Sequence, residues 1–173
     1  PNREGSTVGL SLVNSEDQIG GAVELAAGFC PQVMLEQYIP GRELTVGILD
    51  DTALAVGEII PAKGDIFDYT SKYQIDGAQE IFPADLDEDI MDRVRTLALK
   101  AHRILELESY SRVDFRLDSN DALWCLEVNT LPGLTAASLL PKSAAAVGIN
   151  FPELCERICV GGLARFYNPD SEC

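Results

Sequence analysis

The chain has 173 residues, with 28 Asp and Glu against 13 Lys and Arg, for a formal charge of −15. That balance argues against nucleic acid and against an anionic membrane surface as partners, because both attract proteins mainly through Lys and Arg. A hydrophobic fraction of 46% is ordinary for a globular chain and supports a core without disulfide staples.

In chain order, residues 1–9 form a polar, glycine-bearing turn, followed by the short alternating run Leu10-Ser11-Leu12-Val13. Because the chain opens on Pro1 inside that turn, it reads as a piece of a longer polypeptide. Ser15 followed by Gln18 is a capping-box pattern, which predicts a helix over 16–27 with Ile19, Ala22, Val23 and Ala26 on one face. Residues 33–39 read as a buried strand and Pro40-Gly41 as a turn. Two strands, 43–49 and 53–60, form a hairpin around Asp50-Asp51. Over 61–83 the pattern loses its period. An aperiodic connection of that length is a functional lid or a disordered piece.

The clearest helix follows. Acids over 85–89 favour the positive end of its dipole, and Ile90, Val94, Leu97, Ala98, Ala101 and Leu105 make a core-facing stripe. His102, the only His, lies off that stripe beside charged neighbours and reads as a surface residue. A second hairpin, 111–117 and 122–129, turns at Asp118-Ser119-Asn120-Asp121. A small-residue helix runs from Pro141 to Gly148, and Asn150 with Glu153 caps a last helix carrying Leu154 and Ile158. The tail from Asn168 is expected to fray. The five Cys lack metal-ligand spacing, and Cys155 and Cys159 read as core thiols in a reducing cytosol. No run approaches the roughly 20 apolar residues of a membrane span. The fold class is therefore α+β, with a mixed but largely antiparallel sheet and helices packed behind it.

The second hairpin carries the chemistry. Side chains alternate along a strand, so Arg112, Asp114 and Arg116 share the face opposite Val113, Phe115 and Leu117. On the return strand Trp124, Leu126 and Val128 go to the core, leaving Cys125, Glu127 and Asn129 opposite. A four-residue loop pairs Leu117 with Ala122 and Arg112 with Glu127, which sets Asp114 on the diagonal to Glu127, within roughly 7–8 Å. Two carboxylates that close repel each other unless a cation or a proton intervenes. An all-oxygen ligand set suits Mg2+ better than Zn2+ or Ca2+. On spacing alone, a solvated face on which Arg112 simply pairs with Glu127 accounts for the same residues. In the opening turn, Gly5, Ser6, Thr7 and Gly9 could cradle phosphate oxygens through consecutive amides, though most loops of this composition are only loops. Lys72-Tyr73 could fold over a ligand and pair with phosphate, or lie in an exposed surface loop.

Four segments, in order, resemble the D-alanine–D-alanine ligase family of the ATP-grasp superfamily. They are Arg3-Glu4-Gly5-Ser6-Thr7-Val8-Gly9; Glu36-Gln37-Tyr38-Ile39-Pro40-Gly41-Arg42-Glu43; Asp68-Tyr69-Thr70-Ser71-Lys72-Tyr73; and Ser111-Arg112-Val113-Asp114-Phe115, leading to Leu126-Glu127-Val128-Asn129-Thr130-Leu131-Pro132-Gly133-Leu134-Thr135 and on through Ser138-Leu139-Leu140-Pro141. The likeness covers nearly the whole chain, and its last segment is highly specific.

By this resemblance Asp114, Glu127 and Asn129 are the magnesium ligands, for two Mg2+ ions with Mn2+ as a substitute. Glu36, Tyr38 and Ile39 meet adenine, Glu43 meets the ribose, and Lys72 binds phosphate. Ser6 and Tyr73 are a hydrogen-bonded pair lining the substrate site, and Ile66 or Phe67 packs on adenine. Arg112 and the Gly133 amide stabilise the oxyanion, while Ser138 and Leu139 hold the second D-alanine. The implied partners are ATP and D-alanine, the implied assembly a homodimer, and the implied location the cytoplasm. Residues 1–36 would be the trailing part of the central ATP-binding subdomain and 37–173 the carboxy-terminal ATP-grasp subdomain, with 61–83 as its lid. The activity implied is joining two D-alanines through an acyl phosphate for peptidoglycan precursors. Rival acceptors are D-lactate and D-serine, or another ATP-grasp ligase's amino acids, and Lys72-Tyr73 leans toward the dipeptide. Without the family's amino-terminal domain, the chain alone is not expected to turn over.

Overall fold

A computed structural model of the chain describes residues 1–4, 8–61 and 78–167, with the backbone alone over 164–167. The chain divides into two compact units, Pro1–Pro40 with Ile60–Gln79, and Gly41–Ile59 with Glu80–Cys173.

In the first unit, Glu16–Gln18 make a single 3-10 turn that runs into α1 (Ile19–Ala27). Ser15 supplies no side-chain cap; instead the Asn14 amide donates to Gln18 Oε1 at 2.9 Å. Of the expected apolar face Ala26 is buried, whereas Ile19 is exposed. Residues 33–39 are not a strand, and Met34 and Leu35 stand out in solvent. An apolar run becomes a strand only where a neighbour supplies backbone partners. Among the described residues the sheet contains no strand beside it.

The sheet has the order β3-β2-β1-β4-β5. Its strands are β1 (Arg42–Leu49), β2 (Thr52–Pro61), β3 (Ala78–Ile81), β4 (Tyr110–Leu117) and β5 (Leu123–Asn129). β1 pairs antiparallel with both β2 and β4, and β4 antiparallel with β5. The first hairpin turns through Asp50 (φ 48°) and Asp51 (φ 58°), the doubly left-handed conformation whose twist matches the flanking strands. Of the aperiodic stretch 61–83, Pro61 ends β2 and Ala78–Ile81 pair as a strand, while 62–77 lie outside the described residues.

One face of the sheet packs on α2 (Glu88–Ile104). Leu44, Val46, Ile48, Val56, Val113, Phe115 and Leu117 meet Met91, Val94 and Ala98 there. The opposite face is covered at one end by α3 (Leu139–Ala145) and α4 (Phe151–Tyr167), through Leu49, Leu54, Leu140, Ala144 and Leu154. α4 opens as expected, with the Glu153 amide donating to Asn150 Oδ1 at 3.0 Å. Cys155 is half-buried but Cys159 is exposed, so only the first packs inward. Among the described residues no helix is long and apolar enough to cross a membrane.

The α2 stripe is rotated from the expected one. Met91, Val94, Ala98 and His102 are buried, and Leu97 and Leu105 are exposed. His102 is therefore a core residue, 1% exposed, and not a surface one. It follows Ala98 by one turn and meets Ser111 of β4, its Nδ1 lying 2.7 Å from Ser111 Oγ. Its Nε2 is buried with no partner among the described residues. Burial pulls the imidazole below its ordinary value of 6.5, opposed by the charge of Asp51 and reinforced by that of Arg103. Just below pH 6.5 the unfolded chain binds a proton that the folded chain rejects, so acid favours unfolding. The expected result is a melting temperature that is level above this range and falls as pH drops through it. A His102→Gln variant should lack that component when melts are compared between pH 5 and 7.5.

Candidate active site

Two rungs of the sheet that succeed each other on one face, with the Val46–Val113–Val128 rung between them pointing the other way, assemble the site. In one, Thr45 of β1 stands opposite Asp114 of β4, which stands opposite Glu127 of β5. In the next, Gly47, Arg112 and Asn129 are aligned in the same way. This register corrects the expected one. Leu117 pairs with Leu123, not Ala122, and Arg112 with Asn129, not Glu127. The turn is held by Asp118, whose Oδ1 accepts the amides of Asn120 (2.8 Å) and Ala122 (3.0 Å). Its Oδ2 accepts the Trp124 indole N–H at 2.9 Å. That indole and the two amides hold the Asp118 carboxyl below its usual range.

Starting β5 one residue later would, by itself, turn Glu127 and Asn129 to the wrong face, because side chains alternate with period two. A bulge between Phe115 and Asp114 takes up Leu126 and restores them. The displaced side chains are Trp124 and Leu126, expected in the core and both exposed; Val128 packs inward as expected.

Asp114 is the hub. Its Oδ1 accepts from Thr45 Oγ1 (2.7 Å) and Arg112 Nε (2.9 Å), and its Oδ2 from Arg112 Nη2 (2.7 Å) and Asn129 Nδ2 (3.0 Å). Asn129 Nδ2 also donates to Glu127 Oε1 at 3.1 Å, and Arg112 Nη2 lies 4.0 Å from that same oxygen. Burial alone would lower the Arg112 guanidinium. Its hydrogen bonds to Asp114 and the charges of Asp114, Glu127 and Glu43 outweigh this and hold it above its ordinary value. Arg112 thus cancels one of two adjoining carboxylates, and one negative charge is left over.

The residues fit a hard divalent cation. Asp114 and Glu127 offer carboxylate oxygens and the surplus charge, and the Asn129 amide, within hydrogen-bond reach of both, carries one more oxygen that could join them. Asn129 now turns its NH2 toward both carboxylates, so presenting oxygen to an ion takes a half-turn of the amide. Cys125, expected beside Glu127 and Asn129, is paired instead with Phe115 and is exposed; partial desolvation and then the charges of Asp114 and Glu127 push its thiol up, keeping it protonated and a poor ligand.

The flanking elements set the rim. Glu43 pairs with Arg116 one rung along, at 3.5 Å. At the other end α3 settles close to the sheet over Gly47, where a Cβ would come within 2.6 Å of Leu140 Cδ1. Ser143 Oγ donates to the Ala55 carbonyl at 2.6 Å and accepts the Gly47 amide at 3.3 Å. α3 begins at Leu139, two residues before the expected Pro141, which sits in its first turn. Ser138 precedes it in an extended conformation, its Oγ accepting the Thr135 amide at 3.1 Å. Gly133 lies against it: a Cβ there would stand 2.8 Å from Ser138 Oγ.

The structure therefore brings together Arg112, Asp114, Glu127 and Asn129, with Gly133, Ser138 and Leu139 on the loop and helix that follow β5. Glu36, Tyr38 and Ile39 lie in the irregular segment of the first unit. Ser6, Lys72, Tyr73, Ile66 and Phe67 lie outside the described residues. Thr45 was missed. Its one signal was a period-two place beside Glu43 and Gly47, and that has no meaning until β1 is known to adjoin β4.

A family model described as D-ala D-ala ligase C-terminus matches residues 1–160. The chain is 44% identical over 165 residues to the D-alanine–D-alanine ligase of Synechococcus sp. (strain JA-3-3Ab), covering 95% of this chain and 51% of that protein. It superposes on the crystal structure of D-alanine–D-alanine ligase from Bacillus anthracis with a TM-score of 0.82 and 35% identity, over 95% of this chain and 53% of that one. On the ATP complex from the same organism the TM-score is 0.76 with 31% identity, over 88% and 48%. The chain spans about half the length of the curated relatives it matches. The α+β architecture expected from the sequence is the one these structures share. With all but the last residues inside that match, this chain belongs to the family described as D-ala D-ala ligase C-terminus.

Proposed function

We propose that this chain is the carboxy-terminal part of an ATP-dependent carboxylate–amine ligase that joins two D-alanines to D-alanyl-D-alanine for peptidoglycan precursors. The observation that carries the reading is the cluster of Arg112, Asp114, Glu127 and Asn129 on one face of two adjacent strands. In this reading Asp114, Glu127 and Asn129 hold magnesium (two ions, manganese substituting), which supplies neutralisation of the triphosphate charge. The γ-phosphoryl group of ATP passes to the carboxylate of the first D-alanine. The amine of the second attacks the resulting acyl phosphate, and phosphate leaves.

The chain's own share is positioning and charge. Arg112 and the Gly133 amide face the oxyanion of the tetrahedral intermediate. Glu36, Tyr38 and Ile39 border adenine and Glu43 the ribose. Lys72 binds phosphate, Ser6 and Tyr73 line the substrate site, and Ser138 with Leu139 hold the second D-alanine. Residues 1–36 belong to the central ATP-binding subdomain and 37–173 to the carboxy-terminal one, with the stretch between β2 and β3 as a lid excluding water. The full-length polypeptide works as a cytoplasmic homodimer.

The test is the full-length polypeptide supplied with ATP, Mg2+ and D-alanine, with D-lactate or D-serine offered in turn as acceptor. Phosphate release matched one-to-one by D-alanyl-D-alanine is the expected result. Faster turnover with D-lactate or D-serine would reassign the acceptor, and no D-alanine-dependent release of phosphate would end the reading.

A further inference from the structure

Thr45 is 1% exposed, and its hydroxyl proton is committed to Asp114 Oδ1 at 2.7 Å, from the directly opposed position on the neighbouring strand. Among the described residues, three of the four donors on Asp114 come from Arg112 and Asn129. Both of those side chains have other work in the proposed reaction. Arg112 has N–H groups left over from Asp114 that would share its charge with an oxyanion, and Asn129 must turn its NH2 away to offer oxygen. Thr45 has no such second task. Its branched side chain has few rotamers on a strand, so the direction of its hydroxyl is set by the backbone. On its other side Thr45 stands opposite Gly57, which has no side chain to compete for that proton.

We propose that Thr45 is a positioning residue for Asp114: its hydroxyl fixes the orientation of the carboxylate while Asn129 lets go of it and Arg112 divides its donors, so that Asp114 meets the cation in one defined pose. This rests on the reading of Asp114 as a metal ligand. Hydrogen bonds to metal-binding carboxylates from such outer partners sustain affinity as well as geometry.

The experiment is a Mn2+ titration of the full-length polypeptide, followed by electron paramagnetic resonance, with a non-hydrolysable ATP analogue present. Thr45→Val keeps the shape and removes the hydroxyl, and it should weaken Mn2+ binding by about 10–100-fold. Thr45→Ser restores the hydroxyl and should restore the affinity, a rescue that a purely packing role would not produce. If Thr45→Val does not fold, Thr45→Ala removes the same proton and is read in the same way. Unchanged Mn2+ affinity in the folded hydroxyl-less variant overturns the proposal, as does a Thr45→Ser variant that is equally weak. Asp114→Ala separates the two levels. If it too binds Mn2+ unchanged, the metal reading itself has failed; if it abolishes binding while Thr45→Val does not, only the role of Thr45 has.

Discussion

Asp114→Asn should reduce ATP-dependent ligation by the full-length polypeptide by about 10³-fold or more, because it removes the charge on which both a cation and Arg112 depend. The change is nearly isosteric, so its effect is electronic. Among the described residues Asp114 accepts four hydrogen bonds, two of them from the Arg112 guanidinium, and donates none. An Asn can satisfy them with only one acceptor oxygen, and its NH2 would point at other N–H groups on the second side. Arg112, with its side chain 16% exposed, would lose its paired charge and keep the more distant ones of Glu127, at 4.0 Å, and Glu43. Breaking a fully buried pair costs about 3–5 kcal/mol, and the residual exposure here brings the expectation to about 2–3 kcal/mol. Urea melts would read the stability loss and Mn2+ titration the loss of the ion. Ligation within tenfold of the parent would show that the cluster is a solvated hairpin face and nothing more.

The largest effect on stability is expected at Gly41, which immediately precedes β1. Its φ is +145°, and a Cβ placed there would lie 2.0 Å from the carbonyl oxygen of Leu117 and 2.9 Å from the carbonyl carbon. Those are backbone atoms of β4, paired with Arg42 in the ladder, and cannot swing aside as a side chain would. Gly41→Ala therefore has to break the φ, the contact or the pairing. The expected cost is about 3 kcal/mol or more, a fall in melting temperature of roughly 6–12 °C for a chain of this size. Ligation should fall with it, since Glu43 and Thr45 follow on the same strand. A melting temperature within 2 °C of the parent would mean that the chain reaches β1 by another path.

Much of the architecture was legible without coordinates because it depends on local order. Alternation along β4 placed Arg112 and Asp114 together, the paired Asp residues announced the first hairpin, and Asn150 with Glu153 marked the start of α4. Even the face of Glu127 and Asn129 came out right while their partners did not: the later start of β5 and the bulge at Leu126 together shift the register by two, and alternation is blind to a shift of two. Only the tertiary structure decided what depends on contact between distant segments. It rotated the stripe of α2 so that His102 meets Ser111, left residues 33–39 outside the sheet, and set Thr45 beside an aspartate 69 positions away. A periodic pattern tells which side of an element is apolar, but the neighbour that side will find is chosen by packing the whole chain at once.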